Sequence, residues 1–195
     1  GEIVKAGILS QKPKAEVIVY PLADGGEGTV EALVEGMDGY IVTRQATGPL
    51  GNEIDCRYGI VEEDKLAIIE IAEVAGLTLV PKNLRNPLNT TTYGVGQLIV
   101  DAIDRGCKDF VIGLGGSATN DVGLGMLQAL GYRFADKNRE PVGNTGGDLA
   151  AIKYIDSSKV RPDLKSCNFY IACDVNNLLY GPLGASRIYG PQKGA

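Results

Sequence analysis

The stretch FVIGLGGSATNDVGLGMLQALGYRF, residues 110–134, decides the fold class of this chain. It opens with the apolar run Phe110-Val111-Ile112 and passes through a glycine turn. Apolar residues then recur at near-helical spacing, namely Val122, Met126, Leu127 and Leu130. A buried strand that runs through a glycine turn into a helix is the repeating unit of α/β proteins, so the stretch predicts an α/β fold.

The joint between this strand and helix is polar, with the sequence Gly115-Gly116-Ser117-Ala118-Thr119-Asn120-Asp121. Glycines let a ligand approach the backbone, and Ser, Thr or Asn can cap the helix. The free N–H groups of a first helical turn attract anions, with about 0.3–1 kcal/mol from the helix dipole. The joint is therefore either a phosphate-binding site or an ordinary capped turn, and this stretch alone does not distinguish the two.

The composition excludes several classes of function. Nineteen basic and 24 acidic residues give a net charge of −5, which argues against a general nucleic-acid binder. The chain has no histidine, which excludes histidine-based catalysis, and its four cysteines form no CxxC pair, which argues against a zinc site. Any general base must be Asp, Glu, Lys, Tyr or Cys. No apolar run approaches about 18 residues, so we expect a protein of the cytoplasm with reduced thiols.

The rest of the chain alternates between strand and helix patterns. A strand at 16–22 leads through a turn containing Asp24 and Glu27 into a short helix at 30–34, which repeats the central unit. Two acids at a helix start are also ordinary capping. The remaining predicted strands are 40–44, 55–61, 65–71 and 169–173, and the remaining predicted helices are 72–77 and 95–102. The turn at 47–52 between two of these strands is interpreted as a domain crossing.

Three consecutive threonines, Thr90, Thr91 and Thr92, precede the helix at 95–102. One of them is expected to be its N-cap, and Gly106 its stop. Capping does not require three hydroxyl groups, so the surplus favours a loop that faces a ligand.

An acid, Asp174, follows the strand at 169–173, and Asn176 and Asn177 lie close behind it. The carboxyl end of a buried strand is the usual place for a ligand group in an open α/β sheet. Oxygen side chains of this kind suit a hydrated Mg²⁺, although a solvated loop acid would have the same sequence.

Neither common nucleotide signature is present. A P-loop needs Lys-Ser/Thr after its second glycine, which this chain lacks. Gly113-Leu114-Gly115 begins like a dinucleotide fingerprint, but Ala118 occupies the place of the third glycine.

Six longer blocks carry a resemblance to a known family. They are PLADGGEGTVEAL (21–33), TGPLG (47–51), RNPLNTTTYGVGQLI (85–99), IGLGGSATNDVGLGMLQALG (112–131), ACDVNN (172–177) and GPQKGA (190–195). In this order they resemble the glycerate kinase family of bacterial type, which phosphorylates D-glycerate with ATP. Family members begin with a further strand and continue beyond GPQKGA, so the resemblance predicts that this chain is an interior piece.

The resemblance implies two α/β domains with largely parallel sheets, one inserted into the other. Residues 1–46 and 166–195 would form parts of a discontinuous Rossmann-like domain, and residues 47–165 the inserted domain. The substrate cleft would lie at their junction.

The resemblance also implies a set of site residues. Gly115, Gly116, Ser117, Thr119 and Asn120 are expected to bind ATP phosphates. Asp121 and Asp174 are candidates for Mg²⁺ ligand and for catalytic base, and Asp24 competes with them. Lys193 is the expected catalytic cation. The expected substrate-binding residues are Asp24, Gly25, Gly26, Arg85, Thr90 and Thr91.

The implied function is transfer of the γ-phosphoryl group of ATP to D-glycerate, with Mg²⁺ as cofactor and 2-phosphoglycerate favoured over the 3-phospho isomer. A non-catalytic phosphate- or nucleotide-binding module, or a kinase for another small hydroxy acid, is the alternative. The expected partners are small molecules and a second copy in a homodimer, with neither nucleic acid nor membrane.

Overall fold

The computed structural model describes residues 1–19 and 25–195, and its main feature is a five-stranded mixed sheet. Its strands, in spatial order, are Tyr40–Thr47 (β1), Glu53–Val61 (β2), Leu66–Glu70 (β3), Asp109–Gly113 (β4) and Asn168–Ala172 (β7). β1, β2 and β3 pair antiparallel, whereas β3, β4 and β7 pair parallel. Arg133–Ala135 (β5) and Tyr154–Asp156 (β6) form a separate antiparallel pair.

Six α-helices accompany these strands within the described residues. They are Glu2–Gln11 (α1), Thr29–Gly36 (α2), Ile71–Ala75 (α3), Tyr93–Asp104 (α4), Leu124–Ala129 (α5) and Ala185–Tyr189 (α6). Short 3-10 turns lie at Leu77–Leu79, Lys82–Leu84, Gly146–Ala151, Pro162–Ser166 and Pro191–Lys193. Within the same residues, no helix is both long and apolar enough to cross a lipid bilayer.

Helices cover both faces of the sheet. On one face, Leu98 of α4 packs in a buried cluster with Ile69 and Phe110. On the other face, Val30 of α2 packs in a second cluster with Ile68. Successive strand residues point to opposite faces, so neighbours such as Ile68 and Ile69 fill the two cores separately. The predicted α/β class is confirmed.

Most predicted elements are present with small shifts at their ends. The central unit is confirmed as β4 followed by α5, although this helix begins at Leu124 rather than near Val122. Gly106 follows the end of α4 with a φ of +95°, as its expected role as a stop requires. The strand predicted at 16–22 is not confirmed, because residues 16–19 have no regular secondary structure and residues 20–24 lie outside the described part.

The turn interpreted as a domain crossing, 47–52, contains the tight connection between β1 and β2. Thr47 pairs with Glu53 at the end of this hairpin. β7 belongs to the first predicted domain, yet it pairs with β4 of the second. The division into two domains stays a prediction.

Three parallel strands end at one edge of the sheet. Glu70 of β3 lies in register with Gly113 of β4, which in turn lies in register with Ala172 of β7. Beyond this edge the chain enters α3, the loop at 114–123 and the loop at 173–184. Because the carboxyl ends of parallel strands are where open α/β sheets bind ligands, this edge positions the candidate site.

Candidate active site

A cavity of about 850 Å³ lies at the carboxyl ends of β4 and β7. Its polar wall carries most of the residues that the sequence singled out, namely Gly115, Gly116, Ser117, Thr119, Asn120, Asp121, Asp174 and Lys193. Its apolar wall includes Ile99, Ile112 and Leu130. A concave site with a few convergent polar groups on an apolar wall is the usual form of a small-molecule site.

The loop between β4 and α5 is fixed by backbone hydrogen bonds. Leu77 N–H donates to Gly116 O at 2.8 Å, and Ala118 N–H donates to Ala75 O at 2.8 Å. Within the described part of the chain, the N–H groups of Gly116 and Ser117 donate to no protein acceptor. Both residues line the cavity, so their backbone amides are candidate donors for a bound anion.

Lys193 brings a positive charge to the same loop from the other end of the chain. Its Nζ donates to Ser117 Oγ at 2.9 Å and to Thr119 O at 2.7 Å. Burial lowers the pKa of this ammonium group from its ordinary value, and the nearby charge of Asp121 opposes that shift. The sequence placed Lys193 and Ser117 in separate motifs, and the fold brings them into contact.

Asp121 holds the loop to the start of α5. Its Oδ2 accepts hydrogen bonds from Thr92 Oγ1 at 2.6 Å, from Thr92 N–H at 2.9 Å and from Gly125 N–H at 3.2 Å. Its Oδ1 accepts one from Gly123 N–H at 3.2 Å. Val122 and Gly123 adopt left-handed φ angles of +54° and +75°, which turn the backbone so that these amides face the carboxylate.

The first-turn amides of α5 already have protein acceptors: Leu124 N–H donates to Asp121 O, Gly125 N–H to Asp121 Oδ2 and Met126 N–H to Thr92 Oγ1. Thr92 occupies the N-cap position of α4, as expected of one of the three threonines. Its hydroxyl does not bond within α4 but donates to Asp121 and accepts from Met126 N–H. The donors available to an anion are those of Gly116 and Ser117 instead.

Asp121→Asn is expected to lower the free energy of unfolding by about 3 kcal/mol, because charge-assisted hydrogen bonds of a buried carboxylate are lost. Urea denaturation measures the change. Asp64→Asn, on an exposed turn, is the matched control and should change the free energy by less than about 0.5 kcal/mol. Unchanged stability with lost activity would contradict this structural role and favour the catalytic one.

Three of the expected substrate-binding residues do not line the cavity. The Arg85 guanidinium donates to Val80 O and Leu77 O, at 3.3 and 3.2 Å. Thr90 is fully buried, and its hydroxyl donates to Ala118 O at 3.1 Å. Thr91, also buried, accepts from Tyr93 N–H at 3.1 Å. These contacts hold the walls of the site together, and direct substrate binding by the three residues stays a prediction.

The other expected substrate-binding residues lie beside the cavity or outside the residues that the structure describes. Gly25 is buried against the end of β4, where its carbonyl accepts from Gly115 N–H at 3.0 Å. A side chain at Gly115 would collide with Gly26, so the two loops need glycine at their contact. Asp24 lies outside the described residues.

The donor set fits a magnesium ion at Asp174 better than at Asp121. In the part of the chain that the structure describes, no three Asp, Glu or Cys side chains converge as a metal cluster. The Asp121 oxygens already accept protein hydrogen bonds, whereas Asp174 is exposed at the cavity rim. Mg²⁺ commonly binds through one or two carboxylates, several waters and substrate phosphates. A single rim carboxylate is therefore compatible with it.

Two side chains that the sequence patterns do not single out also support the site. Ser186 of α6 donates from its hydroxyl to Asn120 Oδ1 at 3.2 Å. Glu70 is a buried acid at the carboxyl end of β3, one strand away from the cavity loop. The signal that identified Asp174, an acid at the end of a buried strand, would have identified Glu70 as well.

The fold and the cavity define an α/β protein with a concave, partly polar site at the carboxyl ends of its parallel strands. The model of the Glycerate kinase family matches residues 1–195, so the chain belongs to the glycerate kinase family.

Individual relatives agree with this assignment. The chain is 47% identical to a glycerate kinase of Halalkalibacterium halodurans, over 98% of this chain and 50% of the relative. It is 46% identical to the glycerate 2-kinase of Escherichia coli K12, over 100% of this chain and 51% of the relative. The chain thus spans about half the length of the curated relatives it matches.

A solved structure shares the fold. The crystal structure of a protein described as a glycerate kinase 2 from Salmonella typhimurium LT2 superposes with a TM-score of 0.90 at 45% sequence identity. The match covers 100% of this chain and 53% of that one. The described strands and helices therefore belong to a fold that is known in this family.

Proposed function

We propose that the complete natural protein containing this chain transfers the γ-phosphoryl group of ATP to a hydroxyl group of D-glycerate. The observation that carries the proposal is the Lys193 ammonium, held at 2.9 Å from Ser117 Oγ on a cavity wall with available backbone amides. Phosphoryl transfer asks mainly for positioning and charge stabilisation rather than for a covalent nucleophile. A site without histidine can supply both.

The loop at 115–119 is proposed to bind phosphate oxygens of ATP. Within the described residues, the N–H groups of Gly116 and Ser117 donate to no protein acceptor, so they are available to phosphate oxygens. The Ser117 hydroxyl accepts a hydrogen bond from Lys193 Nζ. Lys193 would share its positive charge with the phosphoryl group that moves. A cation and fixed dipoles aimed at developing charge stabilise it without reorganisation during the reaction.

Asp174 is proposed to bind Mg²⁺ at the rim of the same cavity. It follows β7, whose carboxyl end lies beside that of β4. When bound, the ion neutralises charge on the nucleotide phosphates. Asp121 is proposed to act by positioning the loop and the start of α5 rather than as a ligand, because its oxygens are occupied.

The 2-hydroxyl of D-glycerate is proposed as the acceptor. The name of the Escherichia coli relative, glycerate 2-kinase, supports this choice. The 2- and 3-hydroxyl groups lie on adjacent carbons about 1.5 Å apart, so a small change in positioning decides the product.

A coupled ADP-release assay on the complete protein, with D-glycerate as acceptor, tests the proposal, and phosphorus NMR of the product distinguishes its two isomers. ADP release that requires D-glycerate and yields the 2-phospho product is expected. Release only with another small hydroxy acid would overturn the substrate, and binding of ATP without release would favour a non-catalytic module.

Activity is expected to fall at alkaline pH, and at a lower pH than the loss of charge from an ordinary lysine would produce. The charged form of Lys193 is the active one, and burial lowers its pKa, so neutral amine accumulates as pH rises through that lowered value. A pH profile of kcat/KM measures this limb. Lys193→Arg should move the limb upward because guanidinium stays charged. An unmoved limb would assign it to another group.

A further inference from the structure

Glu70 is a buried carboxylate with an unusual position. It ends β3, in register with Gly113 at the end of β4, and only 2% of its surface is exposed. Desolvation by burial raises its pKa, because the charged form loses contact with water. Buried carboxylates persist in folded proteins when hydrogen bonds satisfy them. The partners of Glu70 therefore indicate what it does.

The first turn of α2 supplies those partners. Val30 N–H donates to Glu70 Oε1 at 2.6 Å, and the nearby Gly28 backbone amide lowers the pKa of this carboxyl, against the effect of burial. Both amides belong to the start of a helix of eight residues, where backbone donors have no partner within the helix. Glu70 thus fixes the start of α2 to the end of the central sheet.

Thr29 extends this attachment to the preceding loop. Its hydroxyl donates to Gly26 O at 2.8 Å and accepts from Gly25 N–H at 3.2 Å. Thr29 lies between Gly28 and Val30, and it is itself 2% exposed. The position of Gly25 and Gly26 therefore depends on the position of Glu70.

The same loop touches the cavity wall. Gly25 O accepts from Gly115 N–H at 3.0 Å, and Gly115 lines the cavity. A Cβ atom at Gly113 would collide with Gly25 O, and one at Gly25 would collide with Ala172 O. The backbones at the ends of β4 and β7 and the loop at 25–26 are therefore in direct contact, with no side chain between them.

We propose that Glu70 is a positioning residue, which acts through Thr29 and Gly25 to set the place of Gly115 in the phosphate-binding loop. The other side of this loop is held by separate hydrogen bonds, from Leu77 N–H to Gly116 O and from Ala118 N–H to Ala75 O, both at 2.8 Å. Glu70 thus controls the anchor at Gly115 and not these two. The consequence for catalysis rests on the proposed kinase function, whereas the structural link does not.

Amide hydrogen exchange on the complete protein tests the link. Glu70→Gln keeps the size of the side chain but loses the charge and one of its acceptor oxygens. We expect exchange at Gly115 to speed up by about tenfold or more, while exchange at Leu77 stays within about threefold, because only one anchor is released. Glu35→Gln, at an exposed position on α2, is the matched control and should leave both amides unchanged.

A second variant covers the case in which Glu70→Gln does not fold. Thr29→Val preserves the shape of the side chain but removes the hydroxyl that bonds to Gly25 N–H and Gly26 O. It should therefore also speed up exchange at Gly115 but not at Leu77. Unchanged exchange at Gly115 in every folded variant would overturn the proposal. Equal acceleration at both amides would also overturn it, since that result describes a general structural role.

Steady-state kinetics separate this proposal from the proposed function. In Glu70→Gln, kcat/KM is expected to fall by about tenfold or more, as a misplaced binding loop causes, while Glu35→Gln stays within about twofold. If exchange speeds up only at Gly115 in the variant, but the unmutated protein transfers no phosphoryl group, the kinase function is refuted and the positioning role of Glu70 stands. Selective exchange with unchanged kcat/KM would overturn the catalytic consequence.

Discussion

Lys193→Met in the complete protein is expected to lower kcat/KM by about 10²–10³-fold, the loss typical of removing one group that stabilises transition-state charge. Methionine retains the length of the side chain but removes the ammonium that donates to Ser117 Oγ and Thr119 O. In an acidic chain of net charge −5, a ligand rich in phosphate needs such local positive charge. The coupled ADP-release assay measures the loss.

Lys137→Met, which removes an exposed lysine away from the cavity wall, is the control for Lys193→Met and should stay within about twofold of the unmutated protein. Thermal unfolding of both variants checks that they fold. If Lys193→Met is folded and retains full kcat/KM, the proposed electrostatic role is wrong. Lys193 would then only connect the C-terminal segment to the loop through its hydrogen bonds to Ser117 and Thr119.

Asp174→Asn is expected to lower kcat/KM by about 10²-fold and to raise the Mg²⁺ concentration for half-maximal activity by about tenfold. Asparagine has the same shape but no charge, and Asp174 is exposed at the cavity rim, so the fold should not depend on it. Magnesium titration at saturating substrate separates this effect from a general loss of activity.

The exposed turn residue Asp64 supplies the control once more, because Asp64→Asn removes the same charge outside the cavity lining. Its magnesium dependence should match that of the unmutated protein. A folded Asp174→Asn variant with the same magnesium dependence would contradict the proposal that Asp174 binds the ion, although a loss of kcat/KM without that shift would be compatible with a role as base.

The elements that the sequence predicted well are those in which burial follows a local period. β4 is a short apolar run, and α4 has buried residues at Val95, Leu98, Ile99 and Ala102, the spacing that a helix requires. Residues 16–19 show the limit of this reasoning, because a β-rich composition did not produce a strand there. Whether a β-rich segment forms a strand depends on a neighbouring strand with which it can pair. Neither the sequence of β7 nor that of β4 indicates that these two strands pair.

The sequence patterns predict which residue types lie near the cavity but not which of these residues touch one another. Ser117 and Lys193 were both identified from their motifs, and only the fold shows that they touch, because 76 positions separate them. Asp121 is of the residue type that binds ligands, yet its Oδ2 already accepts three hydrogen bonds from backbone and threonine donors and its Oδ1 accepts one. Which lone pairs of a carboxylate remain free depends on tertiary hydrogen bonds, and a sequence pattern does not contain these.

The surplus threonines illustrate the same point. They were interpreted as hydroxyls for a ligand, since one capping residue would suffice, but Thr90 and Thr92 use their hydroxyls on Ala118 O and Asp121. The loop at 115–121 is thus held from the side of α4. The sequence pattern identified residues in and around the cavity, but it does not separate those that line the cavity from those that support its wall.

A crystal structure of the complete protein with a non-hydrolysable ATP analogue, Mg²⁺ and D-glycerate tests the central claim most directly. The measured quantities are the distances from phosphate oxygens to the N–H groups of Gly116 and Ser117 and to Lys193 Nζ. The account predicts at least one phosphate oxygen within about 3.2 Å of these donors. Phosphates bound elsewhere, with both amides and the ammonium group unliganded, would contradict it.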